Sequence, residues 1–371
     1  MKVLLAQFRK PPTESRFFER IGKALAPYFQ EWNSAGCRDV AFINPEKSHS
    51  GILPLFQSGK GNFSEMTGNL LRLKDLLAAQ KPDMLIFCNP ETALLLPLIR
   101  LLLPECRVVF DLQENHGLNI RQQIHNPRSR IFSAAIADLL VRTACLFSHR
   151  VWLAEKIYIT QLPFAAKNSF LLENRPYRNA FHRESPDSPW LFAFTGFISE
   201  ESGIRRAFLF LDAMAAKRPQ VKLLICGYCP DPEIRREIRR HPLVECCSPP
   251  ERWASDAEIR NCLLRASAQL IPYFETQANE GKTPSKWFSS LALAIPVLYN
   301  INSVLHLPEK ELLGFPVNFD SPEPGTAENW EIFYRNFLSP EKSSGFEFNQ
   351  KQFKDELGLC FRKDFSSGKS D

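Results

Sequence analysis

Lys286 stands in an awkward place. The segment GKTPSKWFSSLALAIPVLYN, residues 281–300, runs from a polar loop into a helix that opens Thr283-Pro284-Ser285-Lys286. Threonine is a good N-cap and proline suits the first helical position. Lys286 then falls in the first turn, where the positive end of the helix dipole disfavours a cation. An anion at the helix start, such as a diphosphate, offsets that cost. A solvated lysine pointing away from the terminus explains the residue equally well on local physics.

Other residues have types and positions that could do chemistry. AFTGFISEESGI puts Gly196 directly after an expected strand and Gly203 at the start of a helix, and LLICGYCPD repeats the arrangement at Gly227 and Tyr228. Glycine after a strand lets a phosphate or sugar approach the backbone, and a following helix N-terminus offers N–H donors. Neither segment is GxGxxG, so dinucleotide binding has little support, and SGKG at 58–61 lacks the rest of a P-loop. In the first half, VVFDLQENHGLNIRQQ places Asp111, Gln113, Glu114 and His116 at a strand tip, suited to a sugar hydroxyl network. Asp111 could equally cap the next helix, and His116 is a candidate base. Arg16 and Arg20 lie near the start of the first helix.

The elements that must position these residues follow from patterning. At 371 residues the chain has room for two domains. Short β-branched or aromatic runs alternate with helical stretches, the signature of parallel α/β sheets. Strands are expected at 2–8, 39–45, 83–89, 107–112, 150–154 and 169–174, then at 190–197, 221–228, 243–248, 268–274, 296–300 and 316–320. A helical stretch is expected over ESRFFERIGKALAPYFQEWNSAG. The polar, proline-containing stretch 174–189 fits a hinge, and two helices, about 326–338 and 349–359, precede a polar tail. The boundaries are 1–175 for the first domain, 190–325 for the second and 326–371 for the helices and tail.

Composition excludes some classes. Net charge is +5 and the pI about 8.6, compatible with small anions or a membrane surface but too weak to argue for nucleic acid. Ten cysteines occur without a disulfide framework, and the Cys226–Cys229 pair lacks the second pair a zinc site needs, so reduced thiols and no metal are expected. The longest apolar run, TALLLPLIRLLL, is about half a membrane span and holds Pro97 and Arg100. No signal peptide is read in MKVLLAQFRK. The expected location is cytoplasmic, with peripheral contact at the inner face of the cell membrane left open.

Taken together, DLQEN, NSFLLENRPY, FAFTGFISEESGI, WASDAEIRNCLLRASAQLIPYFET and TPSKWFSSLALAIPVL resemble, in order, motifs of the family 4 (group 1) glycosyltransferases of bacterial surface polysaccharides. The resemblance implies an α/β chain of GT-B fold, two Rossmann-like doubly wound domains facing a central cleft. The first would bind a glycan or lipid-linked acceptor, the second a UDP- or GDP-type nucleoside diphosphate-sugar. Transfer would retain configuration without a metal or other cofactor. It implies phosphate contacts from Lys286 and the backbone around Pro284 and Ser285, and donor contacts from Gly196, Gly203, Gly227, Tyr228, Gly281 and Thr283. Arg16 and Gln113 would serve the acceptor, and Glu114, Asp111 and His116 the chemistry.

Departures from the family pattern are specific. Ser289 stands where the family has the glutamate that holds the donor ribose, and its acidic partner falls at Gly281, with Glu280 adjacent. Phe197 and Ser202 occupy places where the family has cations, leaving Arg205 or Arg206 as substitutes, and Ala294 replaces a helix-ending glycine. Losing one charge-assisted bond costs roughly 1.5–3 kcal/mol. A GT-B protein that has lost catalysis and serves as a scaffold for an active transferase is therefore the alternative reading.

Overall fold

The computed structural model describes residues 1–38, 51–57, 63–124, 126–176, 188–308, 310–323, 325–337 and 349–361. The expected strand at 39–45, the SGKG loop, most of the hinge and the polar tail lie outside the described residues. The described residues fall into two compact units, residues 1–176 with 349–361 and residues 188–337.

The first unit is built on seven parallel strands: β1 (Lys2–Ala6), β2 (Glu31–Cys37), β3 (Gly51–Phe56), β4 (Met84–Phe87), β5 (Arg107–Leu112), β6 (Arg150–Leu153) and β7 (Ser169–Leu171). They lie in the order β3-β2-β1-β4-β5-β6-β7. Strands buried on both faces read as continuous apolar runs. In β1, Leu4 and Ala6 pack into the core on one face while Val3 and Leu5 pack into that on the other. The expected helix over residues 14–36 is corrected here. Residues Arg16–Gly22 form a π-helix that continues into Lys23–Leu25, residues 26–30 turn, and Glu31–Cys37 becomes β2, paired with β1 from Lys2↔Glu31 onward. Pro27 cannot continue a helix, and burial of Trp32 and Ala35 favours pairing over helical propensity.

The second unit has six parallel strands: β8 (Leu191–Phe197), β9 (Lys222–Tyr228), β10 (Val244–Cys246), β11 (Ala268–Ile271), β12 (Val297–Asn300) and β13 (Gly314–Val317). Their order is β10-β9-β8-β11-β12-β13. In each sheet the chain order reverses beside the first strand, between β1 and β4 and between β8 and β11. At such a switch point adjacent loops leave in opposite directions and open a crevice at the strands' carboxyl ends.

The two C-terminal helices, expected as one segment with the tail, serve different cores. Thr326–Phe337 packs on the second unit, where Trp330 donates its indole N–H to Pro189 O at 2.8 Å. Gln350–Phe361 packs on the first, with Phe353 edge-on to Trp152 at 5.4 Å. There the Glu356 carboxylate accepts from Arg150 at 2.8 and 2.6 Å and from the Trp152 indole at 3.0 Å.

Candidate functional site

In the second unit the candidate residues gather at the carboxyl ends of β8, β9 and β11. Gly196, at the end of β8, has φ +86°, and a side chain there would meet nothing within 4 Å, so the backbone is open to a ligand. Gly227 lies opposite it in register, but a Cβ there would fall 1.8 Å from Gly196 O. Gly203 caps the helix Ile204–Ala215 at φ +82°, where a Cβ would sit 2.1 Å from Pro272 O. Both have packing reasons for glycine that hold whether or not a donor binds. Gly281, also left-handed at φ 69°, donates its N–H to Val304 O. Glu280 is exposed beside it.

The helix after this loop spans Ser285–Ala292, one residue later than expected. Pro284 takes the N-cap position, and the Thr283 hydroxyl donates to His306 O at 2.8 Å instead of capping. Ser285 is exposed, whereas Lys286 turns inward with Trp287 and Phe288. Its ammonium lies 4.4 Å from the Phe194 ring centroid and 4.8 Å from that of Tyr273. It has no hydrogen-bond acceptor, and burial pushes its pKa down to about 7. Beneath the helix, Ser290 donates to Gln269, which donates to Thr195 at 2.6 Å. Ser289, at the ribose position implied by the resemblance, donates its hydroxyl to Ser285 O at 3.1 Å within its own helix.

The substitute cations are engaged elsewhere. Arg205 is exposed and forms ion pairs with Glu200 at 2.9 Å and Glu237 at 2.7 Å. Arg206 is buried, donates two bonds of 2.6 Å to Asp320, reaches Glu275, and lies over the Phe274 ring at 3.8 Å. Ser202 and Ser199 close a turn on each other, the Ser199 N–H donating to Ser202 Oγ at 2.9 Å. Phe197 is 45% exposed and joins Tyr228 and Trp253 in an aromatic cluster, with the Tyr228 and Trp253 rings stacked 5.2 Å apart.

In the first unit, Arg16, Asp111 and Gln113 come together at the carboxyl ends of β1 and β5. Arg16 grips Asp111 through two bonds of 2.8 and 2.5 Å, and its remaining nitrogen reaches Leu172 O and Asn174 Oδ1, each at 2.9 Å. Gln113 donates to Asp111 at 2.8 Å and accepts from Lys10 at 2.8 Å. Asp111 is fully buried, and both its oxygens are occupied. Arg20 donates to Asn174 O at 2.7 Å. Glu114 is exposed and accepts from Asn119 at 2.9 Å.

His116 opens the helix His116–Gln123, and its Nε2 is buried without a partner. Burial pushes its pKa below the ordinary histidine value, against the pull of Glu114 and Glu91, so the ring is neutral at pH 7. The 3-10 turn Pro90–Leu95, after β4, adds two more unpartnered buried atoms, Glu91 Oε2 and Thr92 Oγ1. The sequence offered one unused sign of this second cluster: Asn89-Pro90 after an apolar run marks a strand end turning into a helix.

No protein-family model matches the chain, and neither does any curated protein. Solved structures do. HepE of Anabaena, in complex with UDP and glucose, superposes with a TM-score of 0.58 at 13% identity, covering 98% of this chain and 97% of that one. Sucrose-phosphate synthase from Thermosynechococcus elongatus gives 0.57 at 13% identity, covering 97% and 96%. The fold is GT-B. AviGT4, a glycosyltransferase involved in avilamycin A biosynthesis, shows the same GT-B likeness, with a TM-score of 0.55 at 12% identity over 97% of both chains. In GT-B terms, the Lys286 helix and the Gly196 strand end belong to the C-terminal Rossmann-like domain, and the Arg16–Asp111 network to the N-terminal one.

Proposed function

We propose that the chain is a retaining glycosyltransferase that moves a sugar from a UDP- or GDP-sugar to a cell-envelope glycan or glycolipid. The observation that carries this reading is Lys286. A buried ammonium with no acceptor in its own fold is costly, and an anion at the helix start offsets that cost. The open backbone at Gly196 leaves room for such a ligand, and HepE, of like fold, was solved with UDP and glucose.

In this reading the bond between the anomeric carbon and the β-phosphate oxygen breaks as the acceptor oxygen bonds to that carbon. The acceptor proton leaves with the diphosphate. Lys286 and the backbone N–H of Ser285 meet the charge that grows on the leaving group, without a metal. The aromatic cluster of Phe197, Tyr228 and Trp253 offers faces for stacking. In the N-terminal domain, Glu91, Thr92 and His116 supply hydrogen-bonding atoms for acceptor hydroxyls. The protein works in the cytoplasm at the inner face of the membrane.

Calorimetric titration with UDP and GDP, followed by nucleotide-sugar hydrolysis assays, tests the proposal. Binding to the wild type that is lost in Lys286→Ala is expected. No binding of either nucleotide at millimolar concentration would sink the idea.

A second reading has its own support. Arg205 and Arg206 are both held by carboxylates, and Ser289 is bonded within its helix, so Lys286 is the one cation of this constellation not already paired. A catalytically impaired GT-B scaffold fits that arrangement. If Lys286→Ala leaves glycan output in cells unchanged while deleting the protein abolishes it, the scaffold reading replaces the enzyme.

A further inference from the structure

The helix Pro127–Phe147 is built inside out. Its core-facing stripe is Ala134, Ala137, Val141 and Ala144, spaced 3, 4 and 3 residues apart, and all four are buried. Small residues there let the helix lie close against its own unit. The large apolar side chains point the other way: Phe132 is 69% exposed, Leu139 63% and Leu146 78%, with Ile131 and Ile136 beside them. An amphipathic helix on a globular domain normally carries its large apolar residues on the inner face. Arg100, on the helix Leu96–Leu102, donates to Phe147 O at 2.7 Å. That bond brings Leu101, 76% exposed, and Leu102 to the same end of the surface as Leu146.

Charge decides among the occupants of such a face. At 100° per residue, Arg128, Phe132, Ala135, Leu139, Arg142 and Leu146 form one outward row. The row holds an arginine near each end and no carboxylate. The helix's one acid, Asp138, is already paired with Arg121. Arg142 is held over the Phe164 ring at 4.8 Å. A second copy of the chain docking on this face would add two more arginines and no carboxylate from the row to pair them. An anionic headgroup layer accepts both arginines while the apolar row enters the acyl boundary. No helix among the described residues is long and apolar enough to cross a membrane, so contact through this helix would be along the surface.

We propose that the outward face of the helix Pro127–Phe147, extended by Leu101 and Leu102, docks on the surface of an anionic lipid bilayer. This inference names the surface for the peripheral membrane contact proposed above. It does not depend on the donor chemistry.

The test is co-sedimentation of the full chain with vesicles of phosphatidylglycerol and phosphatidylcholine, and with phosphatidylcholine alone, at low and high salt. Two double variants accompany it, Phe132→Gln with Leu139→Gln and Arg128→Gln with Arg142→Gln. Wild type should pellet with the anionic vesicles and be released by salt. The arginine double variant should bind about thirtyfold more weakly, at about 1 kcal/mol for each arginine near an anionic surface. The apolar double variant should bind at least about tenfold more weakly. Unchanged melting and unchanged UDP titration of the variants separate this proposal from the donor-site reading. The proposal falls if wild type ignores anionic vesicles or if the apolar variant binds as well as wild type. It falls equally if light scattering shows wild type pairing through this face while the apolar variant is monomeric.

Discussion

The Lys286 ammonium sits 4.4 Å from the centre of the Phe194 ring, with no carboxylate or carbonyl accepting from it. The ring's negative face offsets part of the desolvation cost of the charge, and burial pushes the pKa down to about 7.

Replacing the charge should therefore stabilise the protein. With a folded pKa near 7 against the ordinary 10.5, the unfolded chain binds more protons between those values, so stability rises with pH across that window. The penalty is fully present below pH 7. Lys286→Met, which keeps the shape without the charge, should gain a few kcal/mol near pH 6, and the gain should vanish by pH 10–11. Urea denaturation at a series of pH values checks this.

The same lysine should make diphosphate binding depend on pH. A bound anion raises the lysine pKa, so binding takes up a proton once the free site is deprotonated. UDP affinity should fall by up to about tenfold per pH unit above pH 7. Lys286→Met should bind weakly, with no such slope. Calorimetry in buffers of different ionisation enthalpy would detect the proton uptake directly, and a flat wild-type profile would contradict it.

Arg16 and Asp111 should behave as one structural unit. Asp111→Ala leaves a buried guanidinium without its counter-ion and should cost about 3–5 kcal/mol. Arg16→Met with Asp111→Leu removes both charges and should cost clearly less than Asp111→Ala alone. Denaturant midpoints of the single and double variants measure the difference.

Two backbone positions carry opposite predictions. Ala294 holds a left-handed φ of 50°, so Ala294→Gly should stabilise by about 1 kcal/mol. Gly203→Ala should destabilise by more than that, because its Cβ would collide with Pro272 O in a left-handed backbone. Thermal melts of both variants suffice.

Much of the architecture was legible because parallel strands buried on both faces write themselves as apolar runs. Most strands follow from that pattern, and both C-terminal helices were expected close to where they stand. The strand order and its switch points came only from the structure. The left-handed backbone at Ala294 was legible too, since a helix-ending glycine position carries its geometry whatever residue occupies it. β2 was not legible, because Trp32 and Ala35 look helical until the first strand offers them a partner. The packing of the last helix on the first unit was hidden for a similar reason: Glu356 finds Arg150 more than two hundred residues away in sequence.

The sequence alone determined two Rossmann-like sheets, a lysine at a helix start and the lack of a carboxylate at Ser289. The first two are properties of residue type and local spacing, and the third is what the family resemblance implies. Only the tertiary structure decided which charges are already satisfied. Arg205, Arg206, Arg16 and Asp111 have partners in the fold, while the Lys286 ammonium has no hydrogen-bond acceptor and lies against two aromatic rings. Whether a buried charge is free for a ligand depends on neighbours that chain topology brings together, and no local pattern records them.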